Sequence, residues 1–252
     1  MTKTHKIIAI GGGEIGRAGY SVETLDIDHE IIRLTGKKHP HLLFLPTASG
    51  DAKGYVTDIQ KHFGQGLGCK VEALYLIKNR LSLSEIRTRI LSADIIYVGG
   101  GNTLRMMRLW RKSGVDRLLI EAYQAGKVMA GVSAGSICWF HEGNSDSRKA
   151  KNPAAPLIKV RGLSLIGALH CPHYDLEVSR RPELKTMMRK TAGVAIAIDN
   201  CCALEVVGDK YRIISSKDSA NAYKVYWKRG KYFEEQINKS TTLRSISRLL
   251  SK

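Results

Sequence analysis

The sequence predicts an α/β fold in which a mostly parallel, doubly wound sheet is the middle of three layers and an antiparallel extension follows at the C-terminal end. Three observations predict it. Short apolar runs bounded by Gly, Pro and Asn recur as far as Val132, as buried parallel strands do. The stretches between them are amphipathic and long enough to be crossover helices. After about residue 160 strand-like runs follow one another with a single helical stretch among them.

Taken in order, Ile7–Ile10, Leu42–Leu45, Lys70–Leu76, Ile95–Val98 and Val128–Val132 read as strands. Glu23–Thr35, Val56–Gly66, Ser84–Ala93, Thr103–Ser113 and Val115–Ala125 read as helices, the last placing Leu118, Leu119, Ala122 and Tyr123 on one face. Strand and helix alternate, so the sheet is parallel. Farther on, Leu163–His170, Val194–Ile198, Ala203–Val207, Tyr211–Ser215 and Ala222–Trp227 read as strands and Pro182–Thr191 as a helix, with a hairpin turn at Val207-Gly208-Asp209-Lys210-Tyr211. This part is expected to extend the same sheet and add an antiparallel layer. The basic tail Asn238–Lys252 reads as a terminal helix or a frayed end. No Pro/Gly/Ser-rich linker, repeat or low-complexity tract interrupts the chain, so residues 1–252 are expected to form a single α/β domain.

The composition, 43% hydrophobic and 25% charged, is that of an ordinary globular protein and excludes a disordered chain. The net charge of +17 draws anions. Its basic residues are spread along the chain without the interleaved aromatics of a base-stacking platform, so a solvated basic surface is expected rather than nucleic-acid binding. Cys69, Cys138, Cys171, Cys201 and Cys202 are odd in number and lack C-x-x-C spacing, which argues against a disulfide framework or a zinc site. No apolar stretch approaches the roughly 18 residues of a membrane span, and a cytoplasmic protein is expected.

Four segments can carry chemistry. Gly11-Gly12-Gly13-Glu14-Ile15-Gly16 follows a strand and matches the G-x-G-x-x-G of dinucleotide sites. No helix opens directly on it and Leu42–Leu45 runs into Pro46-Thr47 instead of an acidic residue, so it reads as a glycine turn at the end of the first strand. Gly131-Val132-Ser133-Ala134-Gly135 follows the apolar run Val128–Ala130 and can open a helix, the setting of a nucleophile held on a sharp strand-to-helix turn. The small neighbours let the chain turn, the Ser133 hydroxyl is exposed, and the Ala134 N–H can donate to an oxyanion. Tyr97-Val98-Gly99-Gly100-Gly101-Asn102-Thr103 ends a strand close to the elbow strand, and the Gly100 N–H can supply a second donor. A serine needs a base. His173, in His170-Cys171-Pro172-His173-Tyr174-Asp175, is the best placed; His170 is its rival and His141 is nearest in sequence to Ser133. For the orienting carboxylate, Asp146 and Glu142 both lie in the polar stretch after the elbow.

The combination of Val98-Gly99-Gly100-Gly101-Asn102-Thr103, Gly131-Val132-Ser133-Ala134-Gly135 and Pro172-His173 resembles the serine peptidase family of peptidase E (aspartyl dipeptidase) and cyanophycinase, over most of the chain. The resemblance implies a fold similar to class I glutamine amidotransferases with serine in place of cysteine at the elbow. It also implies cleavage after or around aspartyl residues without a metal or other cofactor. Carried over by position, Ser133 is the nucleophile, His173 the base, and Gly100 and Ala134 the oxyanion donors. The acid fits less closely. The peptidase E aspartate lies somewhat farther beyond its nucleophile than Asp146 does here, and cyanophycinase uses a glutamate, so Asp146 is expected with Glu142 as the alternative. Asn102, Arg180 and Arg181 are the expected substrate-binding residues, the arginines because a basic residue in that region of peptidase E receives the substrate carboxylate. The expected partner is a short peptide, with neither nucleic acid nor membrane, and a homodimer is compatible. The rival reading is a catalytically silent binding protein that uses its basic surface; it predicts salt-sensitive polyanion binding and no labelling of Ser133 by a serine reagent.

Overall fold

The computed structural model describes residues 3–77, 81–176 and 178–252. Its first part alternates as the hydrophobic pattern dictates: β1 (Lys6–Ile10), α1 (Leu25–Arg33), β2 (His41–Leu45), α2 (Lys53–Ile59), β3 (Lys70–Ala73), α3 (Leu83–Ser92), β4 (Ile95–Val98), α4 (Thr103–Ser113), α5 (Val115–Gln124) and β5 (Val128–Val132). The order β1-β5-β4-β2-β3 is parallel throughout. Along each strand the side chains alternate between two faces. Ile8, Ile10, Phe44 and Tyr97 meet Ile27 and Ile31 of α1 and Val56 and Ile59 of α2. Ile7, Ala9, Leu43 and Ile96 meet Ile86 and Ile90 of α3, Met106 and Trp110 of α4 and Leu119 of α5. A sheet buried on both faces between two helical layers is the expected doubly wound core.

Two boundaries differ from the periodicity. β3 stops at Ala73 because its one neighbour, β2, ends one residue past the Phe44↔Ala73 pair. The helix expected over Val56–Gly66 starts earlier, at Lys53, and its last turns, Gln60–Gly66, widen to π-helical spacing.

After β5 come α6 (Ala134–Ile137), β6 (Phe140–Ser145), β7 (Ile158–Arg161), β8 (Ile166–Cys171), α7 (Arg180–Met188), β9 (Ala195–Ile198), β10 (Cys202–Val207), β11 (Lys210–Ser215), β12 (Ala222–Lys228), β13 (Lys231–Ile237), β14 (Arg244–Ser245) and α8 (Ile246–Leu250). β10, β11 and β14 extend the first sheet antiparallel beside β1. The others form a second sheet, β13-β12-β9-β8-β6-β7. The added layer is thus mixed and not antiparallel throughout, since β6 pairs parallel with β8 and β8 with β9. Val160, Ile166, Ala168 and Ile196 of this sheet join the core of Ile7, Leu43 and Met106. Consequently the carboxyl ends of β1, β4 and β5 face the carboxyl end of β8 and the β9–β10 crossover, the segments that carry the site. Among the described residues no helix is long and apolar enough to cross a membrane.

Candidate active site

Ser133 closes β5 and caps the single turn α6 with φ 56° and ψ −113°. That left-handed conformation costs a non-glycine residue roughly 1–3 kcal/mol and is held by the surroundings. The Ser133 N–H donates to Ile10 O of β1 (3.1 Å). Gly131 and Gly135 are required by close approach: a Cβ on Gly131 would lie 2.3 Å from Gly135 O, and one on Gly135 only 2.0 Å from Val98 O. The two glycines therefore let β5, α6 and the end of β4 pack on bare backbone, and the serine alone projects from the turn.

His173 arrives from the loop after β8. Its N–H donates to Gly11 O (3.2 Å), and its Nε2 lies 2.8 Å from Ser133 Oγ. On the other side of the ring, Nδ1 is 2.7 Å from Oδ1 of Asn200, in the turn that carries the chain from the second sheet back to the first. Asn200 donates its N–H (2.9 Å) and Nδ2 (3.3 Å) to Oδ1 of Asp175. A carboxylate only accepts, so the amide NH2 must face Asp175 and the amide oxygen must face the imidazole. Nδ1 then carries the ring hydrogen, and Nε2 is left to accept from the serine.

Gly12 completes this arrangement. A Cβ there would lie 1.7 Å from Asn200 Oδ1 and 2.4 Å from His173 Nδ1, so the glycine run after β1 makes room for the histidine and its partner. The glycine-turn reading of Gly11–Gly16 accounts for it, and the close approach adds a purpose that the sequence pattern does not display. Gly100 lies against the nucleophile: a Cβ on it would be 3.5 Å from Ser133 Cβ and 4.0 Å from Oγ. Its N–H, like that of Ala134 at the first position of α6, is a backbone donor beside the serine. A cleft of about 520 Å³ opens over Ser133 and His173, lined also by Gly13, Glu14, Arg17, Tyr55, Asp58 and Gly100.

The other expected site residues fall elsewhere. The acid assignment needs correction: Asn200 occupies His173 Nδ1, whereas Glu142 lies on β6 in an ion pair with Lys159 (3.3 Å) and Asp146 follows the end of that strand. The polar run taken for a loop is a strand here, paired with β7 and β8, and it carries both carboxylates along with it. Asn102 caps α4, accepting from Arg105 N–H (2.9 Å) and donating to Ser147 O (2.9 Å); it lines a separate cleft of about 810 Å³ with Arg105, Arg108 and Arg148. Arg180 is buried and donates to the backbone and side-chain oxygens of Asn144 (2.8 and 2.9 Å). Arg181 pairs with Glu234 and lies over the rings of Tyr174 (4.3 Å) and Tyr223 (5.0 Å). Neither arginine lines the Ser133 cleft, where the guanidinium is that of Arg17, paired with Glu14.

His170, the rival base, is fully buried under the elbow, with Nε2 2.8 Å from Ser136 Oγ, Nδ1 2.9 Å from Ile196 O and its ring stacked on Phe140. Burial pushes its pKa down to about 3, so it is a neutral structural histidine. His141 is exposed and bonded to Ser164 Oγ (3.0 Å). Among the described residues no cluster of His, Cys, Asp or Glu is placed to hold a metal ion.

The model of peptidase family S51 matches residues 7–214. The chain is 38% identical over 224 residues to the uncharacterized peptidase YgaJ of Bacillus subtilis, covering 87% of this chain and 91% of that protein. It is 30% identical over 137 residues to peptidase E of Shewanella denitrificans, covering 51% and 57% of the two chains. Among solved structures, a peptidase from an acI-B1 Actinobacterium superposes with a TM-score of 0.70 at 18% identity over 97% of both chains. A putative peptidase E of Listeria monocytogenes superposes with a TM-score of 0.63 at 23% identity, over 84% of this chain and 98% of that one. These two likenesses bear on the fold, and they agree with the mixed α/β architecture. With a family model spanning most of the chain and a relative aligned over nearly its whole length, the resemblance read from the glycine loop, the serine elbow and Pro172-His173 holds: the chain belongs to peptidase family S51 and is a serine-type peptidase.

Proposed function

We propose that the protein hydrolyses short peptides with Ser133 as nucleophile, His173 as base and Asn200, backed by Asp175, as the group that orients the base. The observation that carries this reading is the unbroken chain from Ser133 Oγ through His173 to Asn200 Oδ1, at 2.8 and 2.7 Å. In the first step His173 Nε2 takes the Ser133 proton as Oγ bonds to the peptide carbonyl carbon, and the carbonyl electron pair moves to oxygen. The N–H groups of Gly100 and Ala134 receive that oxyanion. As the tetrahedral species collapses, the C–N bond breaks and His173 returns its proton to the departing amine. Water, deprotonated by His173, then releases the acyl group from Ser133.

For the substrate we propose an aspartyl dipeptide or a similarly short peptide. In the cleft, Arg17 is the cation available to a substrate carboxylate, and Glu14 and Asp58 are the carboxylates available to its free amino group. A cleft of about 520 Å³ suits two or three residues better than a folded chain. Five reduced, buried cysteines among the described residues fit a reducing compartment such as the cytoplasm. The test is a dipeptide screen that varies the first residue, run on wild type and on Ser133→Ala. Wild type is expected to release the first residue, with aspartyl dipeptides fastest, and Ser133→Ala to release none at an almost unchanged Tm. Equal turnover by both proteins would sink the assignment.

A further inference from the structure

Tyr55 is the side chain closest to the proposed oxyanion donors to which no role has been given. It projects from α2 into the cleft over Ser133. Its ring packs edge-on against Phe44 (centroids 5.0 Å, 70°) on one side and against the β4 glycine loop on the other, where a Cβ on Gly99 would sit 2.8 Å from its Cε1. The ring is thereby fixed, and the hydroxyl comes to rest over the next residue, accepting from the Gly100 N–H at 3.4 Å. Among the described residues the phenol hydrogen itself has no acceptor.

These positions create a conflict that the chemistry must resolve. Gly100 N–H is the donor nearest the nucleophile on the β4 side, and a phenol oxygen already occupies it. An oxyanion formed on Ser133 has to share this N–H with Tyr55, and two oxygens carrying lone pairs repel each other unless one brings a hydrogen to the other. Tyr55 has that hydrogen to give. Rotation about its C–O bond turns the resting acceptor into a donor while the ring stays in place.

We infer that Tyr55 is a catalytic residue whose hydroxyl donates to the tetrahedral oxyanion beside the N–H groups of Gly100 and Ala134. In the resting enzyme the same hydroxyl caps the Gly100 N–H, which would otherwise be desolvated without a partner. Burial pushes the phenol pKa up to about 12, so the group keeps its proton at every pH at which a histidine base can act. The donation is made to the charged oxygen and hardly at all to the ground-state carbonyl, which makes its contribution specific to the transition state.

This inference rests on the serine peptidase reading of Ser133, and the experiment keeps the two apart. Tyr55→Phe retains the ring packing against Phe44 and Gly99 and removes only the hydroxyl. We expect kcat to fall tenfold to a hundredfold, toward the low end of what losing one oxyanion donor costs, with KM changed less than about threefold and Tm unchanged. The decisive readout is affinity for a peptide boronic acid, whose adduct with Ser133 is tetrahedral and anionic, against affinity for the product amino acid. The boronate should weaken by the same factor as kcat/KM and the product not at all. Equal boronate affinity in wild type and Tyr55→Phe overturns the role of Tyr55, as does a parallel loss of boronate and product binding with a lowered Tm, the mark of a packing role. If wild type forms no adduct on Ser133, the serine peptidase reading fails first and takes this inference with it.

Discussion

The imidazole of His173 is oriented by an amide: its Nδ1 lies 2.7 Å from Oδ1 of Asn200, and the nearest carboxylate in the chain of contacts, Asp175, stands one residue farther back, bonded to the Asn200 N–H and NH2. The amide fixes the ring tautomer as a carboxylate would, but its oxygen carries only a partial charge with which to stabilise the imidazolium. Asp175 supplies the full charge at a distance, by holding and polarising the amide.

Asn200→Ala should therefore lower kcat by about a hundredfold or more with little change in KM, because the ring loses both its tautomer and its orientation. Asn200→Asp should restore little by itself, since the new carboxylate would face that of Asp175. The pair Asn200→Asp with Asp175→Asn moves the charge next to the imidazole and should recover activity. Steady-state kinetics on the four proteins checks this, and a fully active Asn200→Ala would refute the assignment.

Asp146→Asn and Glu142→Gln are expected to keep kcat/KM within about twofold of wild type, because neither carboxylate reaches His173. Glu142→Gln also breaks the pair with Lys159, a surface contact worth at most about 1 kcal/mol. A large loss of activity in either variant would return the orienting role to a carboxylate.

Gly12→Ala is expected to abolish activity in a protein that still folds. The added methyl would stand 1.7 Å from Asn200 Oδ1 and 2.4 Å from the His173 ring, so it must displace the two groups whose alignment the reaction needs. The loss should be at least a hundredfold, since misplacement by about 1 Å already costs that much. Kinetics together with a melting curve separates this effect from unfolding, and a dinucleotide should not raise the Tm of the wild type.

How far the fold and site were legible depended on what each residue had to do. The apolar runs of β1, β2, β4 and β5 announce themselves because both faces of the first sheet are buried. β6, with the sequence FHEGNS, does not; it is a strand because β7 and β8 pair with it, and the two carboxylates assigned to a loop move with it. Ser133 was legible because a strained elbow demands small residues at fixed offsets. Asn200 was not, because an asparagine in a turn between strands is ordinary until the β9–β10 crossover sets it behind His173. Nor could Gly11–Gly16 be tied to the histidine, because the residues that crowd Gly12 lie far along the chain.

His170 gives the fold a pH dependence of defined sign. Its pKa in the folded protein is about 3, against about 6.5 in an unfolded chain, because burial under Phe140 and the elbow disfavours the charged ring. Above pH 6.5 the ring is neutral in both states and its contribution to stability is complete. As pH falls below that, the unfolded chain takes up a proton that the folded protein refuses, so stability declines and goes on declining down to about pH 3. Between pH 6.5 and 5 the expected loss is about 2 kcal/mol, from ~1.4 kcal/mol per unit. Asp199 acts in the opposite sense, since burial raises its pKa to about 6 and its contribution is lost as pH rises through that value. A comparison of wild type with His170→Gln cancels Asp199, which both proteins retain. Urea melts at pH 7, 6 and 5 should show wild type losing stability more steeply than the variant; parallel losses would mean that the buried ring already carries a proton in the folded state.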